Sequence, residues 1–226
     1  MTTSDKSWSP KLRRIGEYER DDHTYLAKED ECFYFGEYTP SGDSGKPAWS
    51  LSKANQLLVN LKKHPSKEGT AEWNHKLKAI NYVGKLISQN LKQERLDRLT
   101  FVPAPPSTPP DHPRHDQRML QVAKAIRKDV DARPILETIE MRVPASRSAS
   151  IRRPELIKAN TRVNEEVVAL RKVAKVLIVL DDMITTGSTY VACRELLKER
   201  FENVQVYGIF IVRRVPLEPR PAPLNF

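Results

Sequence analysis

Cysteine is scarce in this 226-residue chain: Cys32 and Cys193 stand far apart and outside any C-x-x-C arrangement, which excludes a disulfide framework and a zinc ribbon. No run approaches the roughly 18 apolar residues of a membrane span. Met1 to Tyr18 mixes charges with Ser and Thr where a secretory signal needs an apolar stretch, so a soluble, cytoplasmic protein is expected. Aromatic residues at 7% and hydrophobic residues at 39% are on the low side for a globular chain, yet charged residues at 30% still leave enough apolar surface for a core. The length bounds the answer to about one sizeable α/β domain with a small appendage.

What the chain does have is positive charge. Lys and Arg number 38 against 29 Asp and Glu, a net +9. Such a field suits nucleic acid, phosphorylated metabolites or an anionic membrane, and composition does not choose among them.

Residues 1–22 offer little to bury beyond Trp8 and Ile15 and read as a flexible arm. From His23 to Thr39, T-Y-L-A and C-F-Y-F-G-E-Y around a charged turn suggest a β-hairpin, and Thr39 to Trp49 is a loop by its Pro and Gly content. Ser50 caps an expected helix with apolar positions Leu51, Ala54, Leu57, Leu58 and Leu61, stopped at His64-Pro65. A longer one spans Thr70 to about Gln93 with the stripe Trp73, Leu77, Ile80, Val83, Ile87 and Leu91. Leu99 to Ala104 reads as a strand entering a Pro-rich loop, Asp116 to Val130 as an amphipathic helix, and Ile135 to Met141 as a second strand. A helix from Pro154 to about Asn160, the apolar strand Val176 to Leu180, a helix from Ser188 to Glu202 and a strand from Val204 to Val212 complete the series. This alternation predicts an α/β fold, a doubly wound, mainly parallel sheet flanked by helices. The expected division is an arm (1–22), an N-terminal hairpin with a helical hood or flank (23–97), a core (98–215) and a Pro-rich tail (216–226).

The most informative stretch is Val176 to Tyr190, V-L-I-V-L-D-D-M-I-T-T-G-S-T-Y. A buried strand ends in two carboxylates and is followed by a small-residue turn opening a helix. Open α/β sheets hold ligands at the carboxyl ends of their strands. A turn leading into a helix presents backbone N–H groups and the positive helix end to a phosphate. Thr185, Thr186, Ser188 and Thr189 add hydroxyls, and Gly187 lets the backbone approach closely. Asp181 and Asp182 can accept hydrogen bonds from sugar hydroxyls beside that cradle. Phosphate and vicinal hydroxyls together describe a ribose 5-phosphate group. An ordinary βα turn is the plainer alternative, and it leaves the paired carboxylates unexplained.

This stretch resembles the phosphoribosyl pyrophosphate (PRPP) motif of type I phosphoribosyltransferases. Leu99 to Ile126, L-T-F-V-P-A-P-P-S-T-P-P-D-H-P-R-H-D-Q-R-M-L-Q-V-A-K-A-I, is similar to the matching segment of the ComF-like (competence protein F-like) branch. The resemblance implies a type I phosphoribosyltransferase-like core with an N-terminal hood, and pentosyl transfer in nucleotide metabolism: ribose 5-phosphate passes from PRPP to a nitrogenous base or related acceptor, and pyrophosphate is released. It implies Asp181 and Asp182 as catalytic residues, holding ribose hydroxyls directly or through Mg²⁺, and Thr185, Thr186, Gly187, Ser188 and Thr189 on the 5-phosphate. Pyrophosphate contacts fall to Ser107, Thr108, Arg114, Arg118, Arg147 and Arg152. Two departures stand out: the four-cysteine module of many ComF-like proteins is missing, and the expected pyrophosphate loop, Ala104 to Pro113, is crowded with proline and has no Lys or Arg.

Arg142 to Arg162 carries six cationic residues and one acid, fitting a mobile basic loop that closes over the pyrophosphate, a plain solvated loop or a nucleic-acid contact. His112 and His115 border the Pro-rich loop and read mainly as bystanders; Tyr34, Phe35 and Tyr38 read as core or hood residues and Cys193 as a small core residue. A second reading has a PRPP-sensing regulatory or nucleic-acid-associated protein of competence or defence type, without base transfer. Non-specific nucleic acid and a homodimer are admitted as partners; a membrane is not.

Overall fold

The computed structural model describes residues 7–40, 47–141 and 153–216. Its strands are β1 (Trp8–Arg14), β2 (Cys32–Tyr38), β3 (Leu99–Pro103), β4 (Leu136–Thr138), β5 (Thr161–Val163), β6 (Val176–Ile184) and β7 (Gln205–Arg214). The helices are α1 (Glu17–Arg20), α2 (Lys53–Leu61), α3 (Ala71–Asn90), α4 (Arg118–Lys124), α5 (Pro154–Ala159), α6 (Glu165–Ala169) and α7 (Ser188–Arg200). The main sheet has the order β1-β2-β7-β6-β3, parallel except for the antiparallel pair at the β1 edge.

β6 explains why both faces are covered. Its apolar residues alternate between two cores, as strand geometry requires. Ile178 and Leu180 join the cluster under α2, α3 and α4, whereas Leu177 and Val179 join the cluster against α7. The stripes of α2 and α3 therefore find the sheet that their periodicity demands, with Leu58, Leu61, Ile80, Val83 and Ile87 buried there. Ser52 caps α2, its hydroxyl accepting from Asn55 N, two residues beyond the expected Ser50.

Three sequence expectations change. The expected arm contains β1, which pairs with β2 as an edge strand. Pro10, Lys11 and two arginines conceal it, because edge strands tolerate proline and charge where central strands do not. The expected 23–39 hairpin does not form: β2 pairs with β1 on one side and with β7 on the other, so the N-terminal segment enters the main sheet. The strand expected at 135–141 shortens to β4 and leaves the main sheet, pairing antiparallel with β5, a strand without its own apolar pattern. Among the described residues no helix is long and apolar enough to cross a membrane.

Candidate functional site

The carboxylates lie inside β6, not beyond its end. β3 pairs with β6 as far as Pro103 and Leu180, and Ala104 N donates to Leu180 O at 2.9 Å. From there β3 leaves the sheet while β6 continues beside β7 through Ile184. The divergence opens a cavity of about 290 Å³ at the carboxyl end of β6, the position where open parallel sheets hold ligands.

Asp182 follows the inward alternation of Ile178 and Leu180 and meets α2 and α4. Arg118 Nε and Nη2 donate to Asp182 Oδ2 at 2.9 and 2.6 Å, and Lys62 Nζ lies 3.1 Å from Oδ1. Arg118 Nη1 also donates to Asp116 Oδ2 at 2.7 Å, and Lys76, fully buried on α3, donates to both Asp116 oxygens at 2.8 Å. A continuous ion chain thus runs from Lys76 through Asp116 and Arg118 to Asp182 and Lys62. Burial alone would raise the Asp182 pKa, but Arg118 and Lys62 outweigh it and hold the carboxyl below its ordinary range. Burial and then the neighbouring Asp182 charge push Asp181 the other way, up to about 7. Two adjacent carboxyls therefore have separate characters, one fixed as an anion and one able to exchange a proton near neutrality.

The turn after β6 is shaped from the N-terminal segment. His23, fully buried, places Nδ1 against Thr185 O, and Tyr25 N donates to Thr186 O at 2.9 Å. Because the carbonyl only accepts, Nδ1 carries the proton, and burial keeps the imidazole pKa below its ordinary value. Gly187 has φ +84°, and a Cβ there would stand 3.0 Å from Leu26. Thr186 Oγ1 donates to Ser188 Oγ at 3.1 Å.

The expected site residues divide. Ser107, Arg118, Asp181, Asp182 and Thr189 border the cavity where β3 and β6 part. Thr185, Gly187 and Ser188 border a void of about 10 Å³, room for one water, so a phosphate held on that side needs the turn to widen. Thr185 and Thr186 also face a separate cavity of about 270 Å³ beside Asp21, Asp22 and Arg214. Thr108 turns into its own loop, where its hydroxyl faces Arg114 O at 3.5 Å and its carbonyl meets His115 Nδ1 at 3.1 Å. Arg114 reaches towards Met141 Sδ at 3.7 Å and is not among the residues that border the cavity. Arg147 and Arg152 lie outside the described residues. Arg118 borders the cavity with its guanidinium engaged by two aspartates.

Sequence reasoning missed Lys62, Asp116 and Lys76. Lys76 had a signal: it lies between Trp73 and Ile80 on the apolar stripe of α3, and a lysine on a buried face requires a partner. Lys62 had none, since it simply follows the last apolar residue of α2.

Among the described residues no group of three or more His, Cys, Asp or Glu side chains is placed to hold a metal ion. With Asp182 engaged by Arg118 and Lys62, the pair does not form a direct two-carboxylate Mg²⁺ site. Asp181 does fit a water-mediated place, because Mg²⁺ keeps several waters and takes most of its other oxygens from substrate phosphates. No family model matches the chain, and no curated protein matches it. The phosphoribosyltransferase resemblance rests on the motif residues themselves.

Proposed function

We propose that the protein is phosphoribosyltransferase-like, binding PRPP with Mg²⁺ and transferring ribose 5-phosphate to a nitrogenous base or related acceptor. The observation that supports this most is the convergence of Asp181, Asp182, Thr189 and Ser107 on one cavity at the carboxyl end of β6. In the reaction the bond from ribose C1 to the diphosphate oxygen breaks and its electron pair leaves with the diphosphate. A bond forms between C1 and the lone pair of the acceptor nitrogen; an acceptor that brings an N–H loses that proton to solvent, and a pyridine-type nitrogen has none to lose.

Positive charge grows on the ribose as the diphosphate departs, so fixed carboxylates near the sugar and cations near the leaving oxygens lower the barrier. Asp182 supplies an anion that needs no reorganisation, because Arg118 and Lys62 already hold it ionised. Asp181, close to half-ionised near pH 7, accepts hydrogen bonds from the ribose hydroxyls. The turn from Thr185 to Thr189, at the start of α7, takes the 5-phosphate. When bound, Mg²⁺ neutralises charge on the diphosphate, and Asp181 is the carboxylate that would hold it through water.

The test incubates the protein with Mg²⁺, PRPP and a panel of purines, pyrimidines and nicotinate-like bases while pyrophosphate release is followed, with PRPP affinity measured by calorimetry. Wild type is expected to bind PRPP, and Asp181→Asn to weaken that binding about tenfold at pH 8, the loss of one charge-assisted contact. Equal affinity in the folded variant would sink the site assignment. Binding without pyrophosphate release for any base would favour the PRPP-sensing reading.

A further inference from the structure

The stretch 103–106 at the end of β3 gives an anion no backbone N–H to bind. Pro103, Pro105 and Pro106 have no N–H, and Ala104 donates its own to Leu180 O, so four consecutive residues along the cavity offer no backbone donor. The usual cradle of successive N–H groups is therefore missing from this wall. Side-chain donors, the Ser107 hydroxyl and the cations of the cavity, have to take its place.

Among the described residues bordering the cavity, the lysine and arginine side chains are Lys62 and Arg118. They are held in different ways. Arg118 has all three guanidinium nitrogens on carboxylates, Nε and Nη2 on Asp182 and Nη1 on Asp116. Lys62 is held by one contact of 3.1 Å to Asp182, and its side chain is 38% exposed. An ammonium has three donors, so Lys62 can keep Asp182 and still give hydrogen bonds to a second anion. Its stem is long and flexible, and it begins at the residue that ends α2, outside the motif and outside the Pro-rich loop. Asp116, Glu137, Asp181 and Asp182 border the same cavity, so a diphosphate entering it needs a cation with donors to spare, and Lys62 is the lining cation that has them.

We propose that Lys62 is a ligand-binding residue of this cavity, donating to the diphosphate oxygens of a phosphorylated sugar where the proline wall cannot. The inference rests on the phosphoribosyl reading for the sugar, but the anion contact can be measured without it. Because Lys62 contacts β6 at Asp182, on the α2 side, and not at the turn from Thr185 to Ser188, it should distinguish the diphosphate from the 5-phosphate.

Calorimetry in Mg²⁺ buffer with PRPP, inorganic pyrophosphate and ribose 5-phosphate tests this on wild type, Lys62→Met and Lys62→Arg. Methionine keeps the stem and removes the charge; arginine keeps the charge. Lys62→Met is expected to weaken PRPP and pyrophosphate about tenfold or more and to leave ribose 5-phosphate within about twofold, with Lys62→Arg within about threefold of wild type on all three. Retained ribose 5-phosphate binding also shows that the variant is folded. Equal PRPP affinity in wild type and Lys62→Met would overturn the proposal and leave the phosphoribosyl reading standing. A parallel loss of all three ligands would overturn it too, showing that Lys62 serves only to hold Asp182. Lys62-dependent pyrophosphate binding without ribose 5-phosphate binding would support the anion contact and refute the phosphoribosyl reading. No binding of any of the three would end both.

Discussion

Asp181 and Asp182 are chain neighbours on opposite faces of β6, and that alternation drives their acidities apart. Asp182 faces two cations; Asp181 is half-buried beside the charge that those cations stabilise. The consequence for stability has a definite sign. The Asp181 pKa rises from 3.8 to about 7 on folding, so its protonation favours the folded state. That contribution is fully present below about pH 4 and is lost as pH rises through 7. Asp181→Asn should therefore stabilise the protein by about 2 kcal/mol at pH 8, with the gain shrinking steadily towards pH 4, as the linkage of about 1.4 kcal/mol per pKa unit requires after allowance for partial exposure. Urea unfolding at a series of pH values measures this, and a gain that does not change with pH contradicts the assignment. Gly187 belongs to the same scale: its left-handed backbone and its closeness to Leu26 allow the turn to fit under the 23–26 segment.

At the scale of elements, α3 and α4 are the helices whose separation matters most. A Cβ at Gly84 would stand 2.6 Å from Ala125 Cβ and 2.8 Å from Ala125 O, so α3 reaches the end of α4 only because position 84 has no side chain. Backbone is the obstacle, and it cannot rotate away. Gly84→Ala is expected to cost about 1–3 kcal/mol despite the better helix propensity of alanine, the range for overpacking. Thermal unfolding of this one variant decides it, and a stabilised protein would mean that α3 and α4 do not meet this closely. The displacement would reach the site as well, because α4 begins at Arg118, the residue that grips Asp182.

On the scale of the whole molecule, the ion chain from Lys76 to Lys62 joins α3, the start of α4, β6 and the end of α2 along the wall of the cavity. Lys76 has no exposed surface, and burial lowers its pKa against the pull of Asp116. Removing one partner leaves a buried charge unpaired, so Lys76→Met should destabilise by about 3–5 kcal/mol. The double variant Lys76→Met, Asp116→Leu should cost less than the sum of the two single changes, because it removes both halves of one pair. Denaturant unfolding of the four proteins gives the coupling directly; strict additivity would deny that the two act together.

The sequence by itself determined the centre of this fold. An apolar run at 176–180 flanked by helix-period stripes can only be a strand covered on both sides, and two carboxylates, a glycine-containing turn and a helix following it are local features that survive in the folded chain. Local periodicity carries no information on which distant charges meet. Asp182 pairs with Arg118, 64 residues away, and with Lys62 because β3 leaves the sheet beside it, and nothing near residue 182 announces that. β1 was equally silent, since an edge strand with one solvent-facing side needs little apolar pattern. Tertiary structure decided the charge state of the site, because that depends on burial and on partners from other elements.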